Sequence, residues 1–425
     1  MLGFPKRLFW GYVAIALFMA GDGFELAFLS KYLVDLGFTA VEASTVFTVY
    51  GLVAALSAWA SGVLAEVYGP TRIMRIGAFA WISLHVLFLS LGIGLTNLPL
   101  ILIFYGLRAI AYPLFIYAFV VRIAQAVPRD RLASAMGWYW AMYSIGIGCI
   151  GTYLPSFTIP AIGYFGTLWL SVGWVAAAGI AVWFGLPATP EEEKGPPIPI
   201  DRRLRELGRG ATILAENRSI AIAAIVRVIC NLTLFGFPVI MPLYLTSAQV
   251  GFTMSEWLRI WGAMFFVTIF TNIAWGWIGD RFGWIRQMRW FGCLGTAGAT
   301  LAFYYIPAHF GANMALMLLA AAWLGIGVSA FVPMGAIFPA MAPDHRGAAI
   351  SAHNLAAGLS NFGGPLIATI SLPLVGFEGV CWVYAILYVL GAVLTVFIKV
   401  DQPGVTSPRV SPKPTDIAFA KGITA

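Results

Sequence analysis

Two carboxylates and two guanidinium groups sit inside stretches that are otherwise apolar. Asp22 and Glu25 lie within Trp10-Gly-Tyr-Val-Ala-Ile-Ala-Leu-Phe-Met-Ala-Gly-Asp22-Gly-Phe-Glu25-Leu-Ala-Phe-Leu29. Arg108 lies within Phe104-Tyr-Gly-Leu-Arg108-Ala-Ile-Ala-Tyr112-Pro-Leu-Phe-Ile-Tyr117, and Arg227 within a later apolar run. A charge at the centre of a bilayer costs about 2.5–3.5 kcal/mol on insertion scales, so such residues face a water-filled path or a partner. Helical residues three apart share a face, which puts Asp22 and Glu25 side by side. At about 1.5 Å per residue, Asp22 is roughly 18 Å from Trp10, near the midplane, with Glu25 nearer the outer surface. Arg108 falls at a similar depth in its own stretch. An arginine beside a carboxyl stabilises the carboxylate and releases the proton, which is the chemistry of proton-linked transport. Asp22 is the expected partner of Arg108. Glu25 either shares the proton or snorkels to the outer leaflet. Arg227 has no evident acid in its half; it pairs with backbone carbonyls, reaches across to Asp22 or Glu25, or lines a cavity.

The elements that must hold these groups are membrane helices. The chain of 425 residues is 60% hydrophobic and 10% charged, where a soluble protein carries about 25% charged residues. Mean hydropathy is +0.86. A spanning helix needs about 20 mostly apolar residues. Twelve stretches qualify: 9–33, 42–66, 73–95, 98–124, 133–154, 166–186, 219–246, 255–279, 288–307, 313–340, 348–374 and 378–399. The fold class expected is an all-α membrane protein of twelve transmembrane helices. Net charge is +7. With a cytoplasmic N-terminus, nearly all lysines and arginines fall inside or at the inner boundary, and only Lys31 and Arg259 fall outside. The positive-inside rule then puts both termini in the cytoplasm. The basic balance is a topology signal and implies no nucleic acid. Cys149, Cys230, Cys293 and Cys381 fall in spans and read as small core residues without a disulfide framework. The N-terminal apolar run is too long for a cleaved signal.

A repeat organises the chain. Gly62-Val-Leu-Ala-Glu66-Val-Tyr-Gly69-Pro-Thr-Arg72 matches Gly276-Trp-Ile-Gly-Asp280-Arg281-Phe-Gly283-Trp-Ile-Arg286 at an offset of 214, each after the second span of its half. Pro128–Arg131 and Pro343–Arg346 echo one another at 215. A duplicated six-helix unit gives two pseudo-symmetric bundles, the parallel-repeat plan of major facilitator transporters. The expected domains are residues 1–186 and 219–399, joined by a cytoplasmic linker over 187–218 and followed by a disordered tail over 400–425. The repeated loops resemble the signature of the major facilitator superfamily. Glycine at 62 and 276 is expected to admit a close neighbouring helix. The acids Glu66 and Asp280, with Arg281 and the arginines at 72 and 286, form a cytoplasmic gate that in the family latches the outward-open state. Glu66 replaces the usual aspartate and Val67 a common basic residue, which weakens the first copy.

Tyr112, Trp140, Tyr143, Asn231, Asn272, Trp323, His353, Asn354 and Asn361 are further polar or amphipathic side chains within spans, candidates to bind substrate beside Asp22, Glu25, Arg108 and Arg227. Neutral amides suit hydroxyl-bearing ligands. The position 214 after Arg108 is Ala322, so the arginine belongs to one half only. No lysine precedes a serine or threonine, no His-Glu-x-x-His occurs and no Gly-x-Ser-x-Gly elbow is present, which excludes a Walker A loop, a zincin and a hydrolase elbow. No enzyme, cofactor or metal site is expected.

The segments Gly21-Asp22-Gly-Phe-Glu25-Leu-Ala-Phe-Leu-Ser-Lys31-Tyr, Val46-Phe-Thr-Val-Tyr-Gly-Leu, Phe104-Tyr-Gly-Leu-Arg108-Ala-Ile-Ala-Tyr112-Pro-Leu-Phe and Pro155-Ser-Phe-Thr-Ile-Pro160 resemble bacterial pentitol permeases, the ribitol and D-arabinitol transporters of that superfamily. The resemblance implies a monomeric importer of sugar alcohols in the bacterial cytoplasmic membrane, driven by protons. Its partners are then a polyol, protons and the lipid bilayer. Three other readings remain open on the residues. An organic-anion importer would grip a carboxylate with Arg108 and Arg227. A drug exporter is disfavoured because Gly146-Ile-Gly-Cys-Ile-Gly151 lacks a Gly-Pro pair. A transporter-like sensor would need a larger linker than 187–218.

Overall fold

The computed structural model describes residues 6–127, 132–188, 205, 208, 212–342, 346–402 and 405. Long apolar helices dominate, because a chain in lipid must satisfy its backbone hydrogen bonds within each segment. In chain order they are α1 (Lys6–Asp35), α2 (Ala40–Tyr68), α3 (Pro70–Ile93), α4 (Leu98–Ala126), α5 (132–162), α6 (164–185), α7 (Arg218–Leu245), α8 (Met254–Phe282), α9 (284–310), α10 (Met314–Met341), α11 (346–375) and α12 (377–397). The continuous run Ala348–Phe397 is 50 residues long, more than twice a bilayer crossing. Gly376, at φ 65°, breaks it into α11 and α12. Gly163, at φ 73°, separates α5 from α6 in the same way. The fifth span therefore extends past residue 154, where sequence placed its end. The stretch expected as a loop is helical because Pro155 starts a turn as a first-turn residue.

The two halves repeat each other in detail. Thr39 and Glu42 form a capping box at the start of α2, and Thr253 and Glu256, 214 residues later, form one at the start of α8. Each satisfies two orphan backbone donors reciprocally. Both helices are 29 residues long. They end at Gly69 and Gly283, with φ of 89° and 96°, a conformation that a side-chain-bearing residue rarely adopts. The linker expected over 187–218 and the tail expected over 400–425 lie mostly outside the described residues, as do Pro128–Arg131 and most of Pro343–Arg346.

The halves meet tightly at the end of the bundle opposite the N-terminus. Ser30 Oγ donates to the Pro238 carbonyl at 3.0 Å and Trp257 Nε1 to the Ala27 carbonyl at 2.7 Å. Ser255 Oγ donates to the Ser156 carbonyl at 2.8 Å, and the Thr48 and Thr369 hydroxyls are 3.0 Å apart. Towards the N-terminal end the contact gives way to a cavity of ≈ 530 Å³. Gly276 lines that cavity, and a Cβ at Gly62 or Gly276 would meet nothing within 4 Å among the described residues. This corrects the expectation that they admit a close helix: among the described residues no neighbour approaches them in this state.

Candidate functional site

The centre of the N-terminal half is built from α1, α3, α4 and α6. Arg108 ends the first segment of α4, and the helix resumes at Ala111 after a break. Its guanidinium grips Glu25 with both Nη atoms: Nη1 reaches Oε2 at 2.9 Å, and Nη2 bonds Oε1. Both side chains are 1% exposed. A bidentate, charge-assisted pair is the strong form of this interaction. Sequence paired Arg108 with Asp22. The structure puts Asp22 Oδ1 4.0 Å from Nη2, and Asp22 takes its direct hydrogen bond from Trp81 Nε1 at 2.8 Å. The snorkelling alternative for Glu25 is overturned by its burial. Helical spacing placed both acids on one face; the indole on α3 occupies Asp22.

Residues that sequence reasoning passed over complete the cluster. Arg108 Nη1 also lies 2.7 Å from His85 Nδ1. Arginine can only donate, so Nδ1 carries the lone pair and His85 is the neutral Nε2–H tautomer. Nε2 then faces Ser171 Oγ at 3.0 Å and the Leu168 carbonyl at 3.3 Å, both on α6. Trp81, Tyr105 and Tyr50 surround the cation, at 4.7, 4.6 and 5.5 Å from their ring centroids. A histidine mid-span at position 85, one helical turn after Trp81, was the available signal, since an ionisable residue at that depth is functional by default.

Asp22 and Glu25 open onto a small pocket of ≈ 40 Å³ that Tyr50, Tyr105, Tyr112, Tyr143, Phe235 and Asn361 help to line. Asp22 is 10% exposed. The Tyr112 and Tyr143 hydroxyls are 2.9 Å apart. Tyr143 in turn packs edge-on against Trp140, which lines the large cavity. The pocket therefore lies between the halves, with most of its wall from the first.

The large cavity takes most of its wall from the second half. Arg227, Asn231, Asn272 and His353 line it. Arg227 Nε donates to His353 Nε2 at 3.1 Å, and His353 Nδ1 meets Asn354 Oδ1 at 3.2 Å. His353 is thus the neutral Nδ1–H tautomer. Arg227 Nη1 also reaches Cys230 Sγ at 2.8 Å. Among the described residues no carboxylate forms an ion pair with Arg227. Asn354 lines neither cavity and serves as the second link behind Arg227. Trp323 is 45% exposed and packs on Gly298; it also lines neither cavity.

The repeated loops are open. Asp280 accepts from Trp284 Nε1 at 3.0 Å, and Arg281 stacks on Trp277 at 4.1 Å. Arg72, Arg281 and Arg286 are exposed, and no ion pair joins them to an acid among the described residues. Glu66 lies outside the residues whose side chains are described.

The sequence profile described as Major Facilitator Superfamily matches residues 11–309 and 223–421. The chain belongs to that superfamily. Curated proteins match along nearly all of it. A protein of Klebsiella pneumoniae named ribitol transporter is 53% identical over 95% of both chains. One named D-arabinitol transporter, from the same organism, is 52% identical, again over 95% of both. A Bacillus subtilis protein named alpha-ketoglutarate permease is 37% identical over 94% of this chain and 91% of its own. Among solved structures, the nucleoside transporter NupG superposes with a TM-score of 0.76 at 15% identity, covering 92% of this chain and 99% of that one. That likeness carries the fold alone. The twelve helices form the two six-helix bundles of the superfamily, and the protein is a multi-pass membrane transporter.

Proposed function

We propose that this transporter imports a pentitol of the ribitol or D-arabinitol class by proton symport with alternating access. The observation that carries the reading is the buried Glu25–Arg108 pair with Asp22 at its edge, facing a cavity between the halves. The names of the two relatives above 50% identity support the substrate class. The asymmetry of lysine and arginine supports cytoplasmic termini in the bacterial inner membrane. On that orientation the bundle is closed outside and open inside.

The two acids divide the work. Glu25 is 1% exposed and gripped by both Nη atoms, so it fixes Arg108. Asp22 lies 4.0 Å from the guanidinium and is 10% exposed, so it can exchange a proton. In the outward-open state Asp22 takes a proton and polyol hydroxyls bind the amides and tyrosines between the halves. Rocking then exposes the site inward, and Arg108 favours loss of the proton as the cation next to Asp22. Asp280 and its arginines re-form the gate when that end closes.

The test is uptake of labelled ribitol and D-arabinitol into proteoliposomes, with and without an imposed pH gradient. Accumulation only with the gradient is expected. Asp22→Asn keeps size and hydrogen bonding but cannot titrate; it should exchange polyol across the membrane without concentrating it. Concentrative uptake by Asp22→Asn would remove Asp22 as the proton carrier. Uptake of neither polyol would end the pentitol reading.

A further inference from the structure

Arg227 is a cation in the second half with no counter-anion at hand among the described residues. It lines the ≈ 530 Å³ cavity, a volume within the range of small-molecule sites. Its contacts, His353 and Cys230, are held in a neutral histidine tautomer and a thiol. They orient the guanidinium and do not neutralise it. Three of the five guanidinium N–H groups have no protein acceptor among the described residues, since the two bonds use Nε and one hydrogen of Nη1. Asn231 and Asn272 share the wall. A planar fork of donors on a cation matches a carboxylate bidentately. Neutral amides beside it match hydroxyls.

We infer that the cavity also binds a monoanionic polyhydroxy acid, a five-carbon aldonate, with its carboxylate on Arg227 and its hydroxyls on Asn231 and Asn272. The inference rests on this cavity being the substrate site. One carboxylate is the limit. The opposite wall leads through Trp140 and Tyr143 to Asp22 and Glu25, two carboxylates against the single cation Arg108, and a second carboxylate there would face a net like charge. A dicarboxylate such as 2-oxoglutarate is therefore a poor ligand.

The experiment measures binding of D-ribonate, ribitol and 2-oxoglutarate to the purified full chain by tryptophan fluorescence, Trp140 being in the cavity wall. Ribonate should bind and 2-oxoglutarate should bind at least tenfold more weakly. Arg227→Gln should weaken ribonate at least tenfold more than it weakens ribitol, and Arg227→Lys, which keeps the charge and loses the fork, should bind ribonate between the wild type and Arg227→Gln. Asn272→Asp supplies a second reading should Arg227→Gln fail to fold: it puts an anion in the same wall and should lower the ribonate-to-ribitol affinity ratio at least tenfold. Absence of ribonate binding at millimolar concentration overturns the inference. So does an equal loss of ribonate and ribitol in Arg227→Gln. Ribonate binding without ribitol binding would leave this inference standing and sink the pentitol reading instead.

Discussion

The two halves share a scaffold and differ in chemistry. Capping boxes, positive-φ glycines and helix lengths recur at an offset of 214. The central charges do not: the residues 214 after Glu25, His85 and Arg108 are Val239, Ala299 and Ala322. Conversely, Arg227 and His353 correspond to Val13 and Tyr139. The first half buries a cation against an anion and seals both. The second half sets a half-buried cation among neutral groups and leaves it beside a cavity. Duplication preserved what starts and stops helices, while the interior diverged into one self-satisfied site and one site with capacity left over.

The difference can be broken most forcefully at Arg108. Arg108→Ala strands Glu25 without its partner, and losing one member of a buried pair costs about 3–5 kcal/mol. Thermal unfolding in detergent should show a large drop in Tm and proteoliposomes should show no uptake. The double change Glu25→Gln with Arg108→Gln should recover much of the stability and none of the concentrative uptake. If Arg108→Ala is as stable as the wild type, the first half is not self-satisfied in the sense described. Arg227→Ala strands no carboxylate and is expected to cost less than half as much in the same assay.

Smaller changes sharpen the scaffold side. Thr39→Ala and Thr253→Ala each remove a capping oxygen, at about 0.5–2 kcal/mol. Their costs should agree closely, and a mismatch above the spread of replicate melts would show that the repeats are not energetically equivalent. Trp257→Phe deletes the bond to the Ala27 carbonyl, a net loss of about 0.5–1.5 kcal/mol. Distances between spin labels across the closed end should then broaden towards an open population; an unchanged distribution would mean that this bond does not hold the seal. The smallest effect belongs to Asp280→Asn, which removes one exposed charge but keeps an oxygen to accept from Trp284 Nε1 while the gate is apart. Its melt should match the wild type, and any population change should favour the state seen here.

The helices were legible because bilayer thickness imposes a length that a hydropathy scan can read, and the repeat because Gly69 and Gly283 must occupy the same left-handed conformation. Asp22, Glu25, Arg108 and Arg227 were legible because charge within an apolar run is costly. Pairing was not. Asp22 and Glu25 share a face, and which one Arg108 holds goes with contacts from other helices, the Trp81 bond to Asp22 among them. Tyr50 was missed for the same reason, being a contact between segments with no spacing rule, whereas His85 carried a legible signal as an ionisable residue within a span. Trp323 and Asn354 were grouped with the cavity residues because type and span are visible in sequence while the side of a helix facing a cavity is not. The open space at Gly62 and Gly276 reflects one conformational state, and a sequence serves every state at once.

The four deep charges also bear on voltage. With both acids ionised, Asp22 and Glu25 cancel Arg108 and Arg227. The membrane field acts on charge moved through it, at about 2.3 kcal/mol per elementary charge per 100 mV. A carrier whose fixed interior charges sum to zero reorients empty without electrical work. On the proposed mechanism a proton on Asp22 would break that balance by one unit, so a neutral cargo would travel electrogenically and a monoanionic cargo would bring the moving interior back to neutrality. On the proposed cycle Arg227, remote from Asp22, would thereby set the electrical character of the whole.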